Sequence, residues 1–423
     1  MADALEVWLD GIRVATVEQN RRRLRLEYTP EARSSFAPGT PLLSLSLPVS
    51  AETFGSGVVR PFFAGLLPEE EPLAAIAEEL GLRADDVFGM LSEIGRECAG
   101  AVILQPVGSE PPPPATTRTA EPITDEQLAD LIAKLGSAPL GVSKRVRVSL
   151  GGTQRKLVLT RMPDGRWGRP IDGTPSTHIL KPEVRRVPRS VANEAFCMRM
   201  ARHLGIPVAD VETIEVDQRP VLVVARYDRI VDADGVVQRV HQEDFCQALG
   251  LPPSRKYEED GGPGLRMIAE TLSGVHPEAL PNFLAYLVVH VLVANGDAHA
   301  KNYSLLHGSD GILTLAPLYD VMCTLPYQVE YVAMYVDTVQ RLDRVTGARV
   351  INEAVRWGIS RHAAQTTLAD LLTRAPSAIA SAADETPDVA GEVLNAVNAQ
   401  LQRLNEDSRS QGRARTGRDR PIA

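Results

Sequence analysis

The chain has 423 residues and a formal net charge of −9 at pH 7; 44% of its residues are hydrophobic and 23% are charged. This length allows two or three domains with cores of their own, and the acidic balance gives no general attraction to nucleic acid. The stretch MADALEVWLDGIRV has no basic segment followed by an apolar core, so no secretion signal is predicted. The four cysteines lie far apart without a C-x-x-C pair. That spacing favours reduced thiols in a cytoplasmic protein and argues against a zinc site.

The first hundred residues have mostly β patterns. ALEVWL and IRVATV alternate apolar and polar residues on both sides of Asp10-Gly11, a strong hairpin signal. LRLEY and LLSLSLPV continue the alternation, and PLAAIAEELGL predicts a helix that ends near Gly81. We therefore predict a β-rich domain over residues 1–108, followed by a proline-rich linker over 109–122.

Strands also dominate the next hundred residues. The helix TDEQLADLIAKLG precedes the predicted strands RVRVSL, KLVLTR, THILKP and RPVLVVARY, and a helix over 191–204 interrupts them. This segment is predicted as a strand-rich lobe over 123–228. A helical lobe over 229–404 follows, with a cleft between the two lobes.

The longest apolar run, residues 283–294, contains His290 and is too short to span a bilayer, so we expect a buried helix. Residues 405–423 are polar and arginine-rich, which predicts a disordered basic tail. The order of elements predicts an α+β fold.

The stretch NGDAHAKNYSLL follows the buried helix and carries the densest set of polar groups. Asp297 and Asn302 form D-x-x-x-x-N, and a hairpin, NYSLLH-GSDG-ILTLAP, then leads to Asp320. Protein kinases use this order: an Asp accepts the hydroxyl proton, an Asn holds a metal, and a second Asp holds the metals that bridge the phosphates. Oxygen ligands of this kind suit Mg²⁺. The alternative is that Asp297 is a surface turn residue and Asp320 a cap.

A kinase also needs a lysine and a loop that hold phosphates. Lys181 ends the strand THILK, and Glu194 lies in the apolar stripe of the next helix, where a carboxylate needs a cationic partner. Lys181 is the natural candidate for that partner, although Glu194 could instead favour the first turn of its helix. Gly151-Gly152 in SLGGTQRK allow close backbone approach to an anion, or form an ordinary hairpin turn.

Together these segments resemble the HipA family of kinase toxins from bacterial type II toxin–antitoxin modules. The resemblance covers about residues 4–400. Its motifs are FFAGLLPEEE, IGRECAGAV, VSLGGTQRK, THILKP, VANEA, ARYDR, HQEDFCQALG, KYEEDGGPG, GDAHAKNYSLL and LAPLYD.

The resemblance implies a two-lobed fold related to protein and phosphoinositide kinases, with a β-rich amino-terminal subdomain and an all-α carboxy-terminal lobe. It also implies a serine/threonine protein kinase that uses ATP and Mg²⁺. Asp297 would be the general base, Asn302 and Asp320 the Mg²⁺ ligands, and Ser149 the autophosphorylated residue. The remaining groups implied to contact ATP are the phosphate loop Gly151, Gly152, Thr153, Gln154, Arg155 and Lys156; Lys181, ion-paired with Glu194; the hinge Ala225, Arg226 and Tyr227; and His299, Ala300 and Lys301.

Two positions depart from the family pattern. Ala298 follows Asp297 where the family commonly has glycine, and Ala225 occupies a hinge position that is commonly acidic. Neither change removes a group that performs the chemistry.

The resemblance further implies a HipB-like helix-turn-helix antitoxin as partner, with DNA contacted indirectly through that complex and no membrane. It suggests an aminoacyl-tRNA synthetase as the class of protein substrate. The amino-terminal subdomain is expected to contact the antitoxin. A catalytically weak kinase fold acting as corepressor is the alternative, and a lipid or small-molecule kinase is a further one. The complete set Lys181, Asp297, Asn302 and Asp320 favours the active protein kinase.

Overall fold

The computed structural model describes residues 4–112, 120–136, 148–171, 173–184, 187–233, 235–308 and 311–415, with side chains up to residue 405. These residues group into two compact units. The first takes its members from 1–184, 210–256 and 304–316, and the second from 185–209, 257–303 and 317–423. No helix in the described ranges is both long and apolar enough to cross a membrane.

The first unit begins with a four-stranded antiparallel sheet of order β3-β2-β1-β4. Its elements are β1 (Ala4–Leu9), β2 (Ile12–Asn20), β3 (Arg23–Tyr28), α1 (Pro30–Ser35), α2 (Ser56–Gly65), α3 (Glu70–Leu80), α4 (Val87–Ile94) and β4 (Ile103–Pro106). Asp10 and Gly11 form the turn between β1 and β2 with φ of 48° and 78°, which confirms the predicted hairpin. Helix α3 ends at Gly81 in the left-handed conformation, also as predicted.

A six-stranded sheet of order β5-β7-β6-β8-β10-β9 follows. Its elements are β5 (Ala120–Pro122), α5 (Asp125–Ala133), β6 (Leu157–Arg161), β7 (Trp167–Pro170), β8 (His178–Pro182), β9 (Val211–Val216) and β10 (Arg219–Ala225). The last three residues of the predicted linker are thus strand β5, paired with β7. The rest of that linker lies partly outside the described residues, as do the first three residues of the predicted strand RVRVSL.

The core of the amino-terminal sheet includes residues from beyond the linker. Val148, Leu150 and Val158 are buried together with Leu66, Leu67 and the apolar faces of β1 to β4. The segment that carries the predicted phosphate loop is therefore packed into the amino-terminal core.

The remaining strands of the first unit form two small sheets, β11-β12 and β13-β14-β15. These elements are β11 (Arg229–Val231), β12 (Val237–Arg239), β13 (His241–Asp244), α7 (Phe245–Ala248), β14 (Ser304–His307) and β15 (Leu313–Leu315). Strands β14 and β15 pair antiparallel, which confirms the predicted hairpin after Asn302.

The second unit is mainly helical. Its elements are α6 (Ser190–His203), α8 (Leu265–Val275), α9 (Leu280–Leu292), β16 (Tyr331–Val336), β17 (Val339–Arg341), α10 (Gly347–Arg356), α11 (Arg361–Asp384) and α12 (Gly391–Arg415). Strands β11 to β17 all lie within residues 229–404, which corrects the all-α expectation for that range.

Helix α12 also differs from the predicted tail, because its backbone stays helical to Arg415, ten residues past 405. Polarity alone does not end a helix, since glutamine and arginine are good helix formers.

Candidate active site

The end of helix α9 positions the loop that contains Asp297. All residues of α9 from Phe283 to Leu292 are buried, as the apolar run predicted. Ala294 then adopts a left-handed conformation with φ of 54°, and the N–H of Asn295 donates to the carbonyl of His290 at 2.9 Å. This arrangement closes the helix and turns the chain sharply.

Three hydrogen bonds surround Asp297, which is itself exposed. Its N–H donates to Asn295 Oδ1 at 2.9 Å, and its carbonyl accepts from the N–H of His299 at 2.8 Å. Its carboxylate Oδ1 accepts from the hydroxyl of Tyr257 at 2.7 Å. The carboxylate is therefore in solvent on a loop whose backbone is bonded on both sides.

Gly296 and Thr324 hold the same loop in place through hydrogen bonds. The Gly296 N–H donates to Thr324 Oγ1 at 2.7 Å, and that hydroxyl donates to the carbonyl of Ala294 at 3.2 Å. A Cβ at position 296 would lie 2.4 Å from the carbonyl oxygen of Tyr331. Only glycine fits there without displacing strand β16.

The structure brings Asn302 next to Asp320. Asn302 is buried, and its Nδ2 donates to the Asp320 carbonyl at 3.4 Å. The contact turns the Asn302 amide so that its Oδ1 is the atom left for another ligand. Asp320 is exposed and has φ of 57°, a left-handed conformation that is uncommon outside glycine and often marks functional positions. The neighbouring Tyr319 hydroxyl donates to the carbonyl of Lys301 at 2.6 Å.

His290 and Asn295 form a buried polar pair beneath the loop. Burial lowers the pKa of His290 to about 3, although Asp320 opposes that shift. The neutral ring can accept at Nδ1 from Asn295 Nδ2, 3.0 Å away, which orients the Asn295 amide oxygen toward the Asp297 N–H. The pair borders a small cavity that is otherwise lined mainly by Leu265, Leu287, Val291, Tyr303 and residues 332–334.

The predicted phosphate loop lies in the first unit. Ser149 is fully buried; its hydroxyl donates to the carbonyl of Leu66, and its N–H donates to that of Glu97, each at 2.7 Å. Gly152 has φ of 106°, and its carbonyl accepts from the N–H of Glu69 at 3.1 Å. Arg155 forms an ion pair with Glu71. The loop is thus held by residues 66–71 of the amino-terminal subdomain.

Lys181 and Glu194 are both buried, in β8 and α6 respectively. Lys181 belongs to the first unit and Glu194 to the second, so their ion pair stays a prediction. The hinge residues Ala225 to Tyr227 and the loop 151–156 also belong to the first unit. Asp297, His299, Ala300, Lys301, Asn302 and Asp320 belong to the second.

The predicted hinge has two backbone donors already in use. The Ala225 N–H donates to the carbonyl of Asp210, and that of Arg226 to the carbonyl of Thr177, both at 2.9 Å. Contacts from this segment to an adenine ring would therefore need other backbone groups.

A buried ionic network, which we call the Glu97 cluster, consists of Glu97, Arg226, Asp228, Arg229 and Arg239. The Arg226 guanidinium makes five hydrogen bonds, to Glu97, Ser176, the Cys98 carbonyl and both oxygens of Asp228. Burial alone would raise the pKa of Glu97, but its three arginine neighbours hold that pKa well below its usual range.

Sequence reasoning missed several of these residues. Tyr257, Asn295 and Thr324 contact the Asp297 loop, and the Glu97 cluster joins residues about 130 positions apart. Asn295 and Tyr257 lay in motifs that the sequence did single out, NGDAHAKN and KYEEDGGPG. Four of the five cluster residues also lay in such motifs, IGRECAGAV and ARYDR, but nothing local in the sequence signalled that they pair with one another.

Comparisons with known proteins agree over most of the chain. Residues 148–379 match the HipA-like C-terminal domain, and residues 5–105 match the HipA N-terminal domain. The protein Y4mE of Sinorhizobium fredii is 41% identical over 330 residues, covering 76% of this chain and 78% of that protein. The serine/threonine-protein kinase toxin HipA of Shewanella oneidensis is 29% identical over 374 residues, covering 84% and 83%.

One solved structure extends this similarity to the fold. HipA from Shewanella oneidensis, in a complex described as the toxin–antitoxin system HipA, HipB and its operator DNA, has a TM-score of 0.81 and 25% identity. The match covers 99% of this chain and 100% of that one.

Proposed function

This chain belongs to the HipA family of kinases, and from that premise we propose that it transfers the γ-phosphate of ATP to serine or threonine hydroxyls of a protein. The observation that carries the proposal is the loop from Asn295 to Asn302. It presents an exposed Asp297 on a fixed backbone and holds Asn302 against Asp320. Phosphoryl transfer depends mainly on such positioning and on electrostatics.

Asp297 is assigned as the general base that accepts the hydroxyl proton. Asn302 and Asp320 would hold Mg²⁺, and the residues fit such an ion, because hard oxygen donors are its preferred ligands. The Asn302 amide donates through Nδ2 to the Asp320 carbonyl, so its oxygen is the atom presented to a metal. When bound, Mg²⁺ supplies charge neutralisation at the phosphate oxygens.

Most of the groups assigned to the nucleotide lie in the first unit, whereas Glu194, His299, Ala300 and Lys301 lie in the second. Lys181 would hold the α- and β-phosphates and Glu194 would pair with it, while the backbone of residues 151–156 would approach the phosphates. His299, Ala300 and Lys301 would line the phosphate region. Residues 225–227 would contact adenine through backbone groups other than the two N–H groups already used within the sheet.

Ser149 is assigned as a site of self-phosphorylation. Its hydroxyl is fully buried against Leu66, so the loop must leave this position before the hydroxyl can accept a phosphate. A phosphate would add nearly two negative charges, which the site around Leu66 and Leu150 cannot solvate. The modified loop would stay displaced, and the kinase would disable itself.

The biological role we propose is that of a toxin in a type II module, neutralised by a HipB-like helix-turn-helix antitoxin. The relative from Shewanella oneidensis, solved with HipB and operator DNA, supports this role and an indirect contact with DNA. An aminoacyl-tRNA synthetase is the proposed class of target. Pull-down of the chain from its native lysate should recover a small DNA-binding protein. Recovery of the chain alone, from cells shown to contain such a protein, would contradict this partner.

The decisive experiment is incubation of wild-type protein and Asp297→Asn with lysate, Mg²⁺ and ATP labelled at the γ-phosphate. Wild type should label itself and a target band. The variant should retain ATP binding and lose about 10² to 10⁴ in rate, the usual effect of removing a general base. Wild-type rates in Asp297→Asn would place the catalytic centre elsewhere.

Mass spectrometry of the same samples tests the switch. Phosphoserine at position 149 in wild type alone, accompanied by weaker ATP binding, is expected. An unmodified Ser149 after long incubation with Mg·ATP would contradict this assignment.

A further inference from the structure

Tyr257 lies beside the carboxylate of Asp297. Its hydroxyl donates to Asp297 Oδ1 at 2.7 Å. Its ring packs edge-on against His299, with centroids 5.2 Å apart and an angle of 82° between the planes. Tyr257 therefore contacts two residues of the catalytic loop, although it lies forty positions before Asp297.

The segment that carries Tyr257 is fixed to strand β16. The Glu258 N–H donates to the carbonyl of Ala333 at 3.1 Å, and the Tyr335 N–H donates to Glu258 Oε2 at 2.6 Å. The Gly262 N–H donates back to the Tyr257 carbonyl at 2.9 Å and closes a turn. At Gly264 a Cβ would lie 2.6 Å from the Glu258 carboxyl group, so a larger residue there would displace that side chain. These contacts hold the Tyr257 backbone at both ends.

We infer that Tyr257 is a positioning residue for Asp297, an inference that rests on the proposed function. The terminal torsion of an aspartate is broad, so a fixed backbone alone does not fix the direction of the carboxylate oxygens. The hydrogen bond from Tyr257 to Oδ1 restricts that rotation.

The chemistry of the partner matters as much as its position. A tyrosine hydroxyl is a neutral donor at physiological pH, whereas an arginine or lysine in the same place would stabilise the carboxylate far more and weaken it as a base. Tyr257 therefore orients the base without neutralising its charge.

Tyr257→Phe tests this inference, because it keeps the ring against His299 and removes only the donor. The rate of γ-phosphate transfer from labelled Mg·ATP should be measured, both to the chain itself and to casein as a general protein acceptor. We expect kcat to fall about tenfold, the usual effect of losing one hydrogen bond to a charged group. The KM for ATP and the melting temperature should stay at wild-type values.

Tyr335→Phe is the matched control. Tyr335 lies in the same unit, and its hydroxyl makes no hydrogen bond to the residues described, so its kcat should equal that of wild type. The inference is overturned if Tyr257→Phe keeps the wild-type kcat, or if Tyr335→Phe loses as much. A higher kcat in Tyr257→Phe would also overturn the inference, because it would show that the tyrosine hydroxyl inhibits Asp297.

Asp297→Asn separates this inference from the proposed function. An inactive Asp297→Asn beside a fully active Tyr257→Phe removes the inference and leaves the function intact. An active Asp297→Asn, or a wild-type chain without transfer, removes both.

Discussion

Glu97 and Asp297 are carboxylates in opposite surroundings. The side chain of Glu97 is 1% exposed and meets Arg226 and Arg229 at 2.9 and 2.8 Å and Arg239 at 2.6 Å. Asp297 is exposed and accepts from a neutral tyrosine hydroxyl. A buried charge is costly unless it is paired, so the arginines around Glu97 are what allow it to be buried at all.

The difference separates a structural carboxylate from the one we propose as the general base. Both carboxylate oxygens of Glu97 accept hydrogen bonds from arginine side chains, and the low pKa of Glu97 makes it a poor proton acceptor. Asp297 is instead oriented by its backbone and by Tyr257 while it stays in solvent. Charge alone does not separate the two carboxylates; burial among three arginines marks Glu97 as the structural one.

Changing each acid to its amide should break the two regions in opposite ways, and this is the largest effect we predict. Glu97→Gln leaves Arg226 and Arg229 with Asp228 as their carboxylate partner and removes the ion pair of Arg239 with Glu97. It should lower the free energy of unfolding by about 3–5 kcal/mol, since one partner of a buried ionic group is lost. Asp297→Asn should change stability little while it removes activity. Urea unfolding of both variants checks this.

Equal unfolding midpoints for the two variants would show that the Glu97 cluster is not structural. Point variants are preferable to deleting residues 1–105, because that deletion also removes the apolar partners of Val148 and Leu150.

Acid should destabilise the fold through buried histidines. Burial lowers the pKa of His241 and His290 to about 3 and that of His178 to about 4. An unfolded histidine titrates near pH 6.5, so below that pH the unfolded chain binds protons that the folded chain does not. Stability should fall by about 1.4 kcal/mol per pH unit for each histidine, down to its folded pKa.

Unfolding measured between pH 7 and pH 5 checks this prediction. His290→Gln keeps an acceptor for Asn295 and should reduce the pH dependence of stability by the contribution of one histidine. The Glu97 carboxyl is not expected to contribute in this range, because its pKa is low in the fold and near 4.3 when unfolded. A pH dependence in His290→Gln equal to that of the wild type would contradict the role of His290.

Local patterns predicted much of the fold. The Asp10-Gly11 turn, the end of α3 at Gly81, the buried helix α9 and the hairpin after Asn302 all depend on neighbours in sequence. The order of Asp297, Asn302 and Asp320 also has a local basis, because one loop and one hairpin place them.

Contacts between distant residues could not be predicted in the same way. Glu97 meets Arg226 across 129 positions, Ser149 meets Leu66 across 83, and Tyr257 meets Asp297 across 40. A single charged or hydroxyl residue has no periodicity, so nothing near it in sequence specifies its partner. The left-handed conformations of Ala294 and Asp320 could not be predicted from the sequence either, since neither position is glycine.

The smallest effect we predict concerns the backbone anchor of the Asp297 loop rather than any charge. Thr324→Val keeps the side-chain shape but removes the hydroxyl that accepts from Gly296 and donates to the Ala294 carbonyl. A buried N–H then lacks its acceptor, and we expect a loss of about 1–2 kcal/mol in stability. The loop should also loosen, with a modest fall in kcat.

Thr324→Ser retains the hydroxyl and is the control, expected to keep the wild-type kcat. Urea unfolding measures the loss of stability, and phosphate-transfer rates measure the change in kcat. If Thr324→Val matched Thr324→Ser in both, the position of Asp297 would depend on Asn295 and Tyr257 alone.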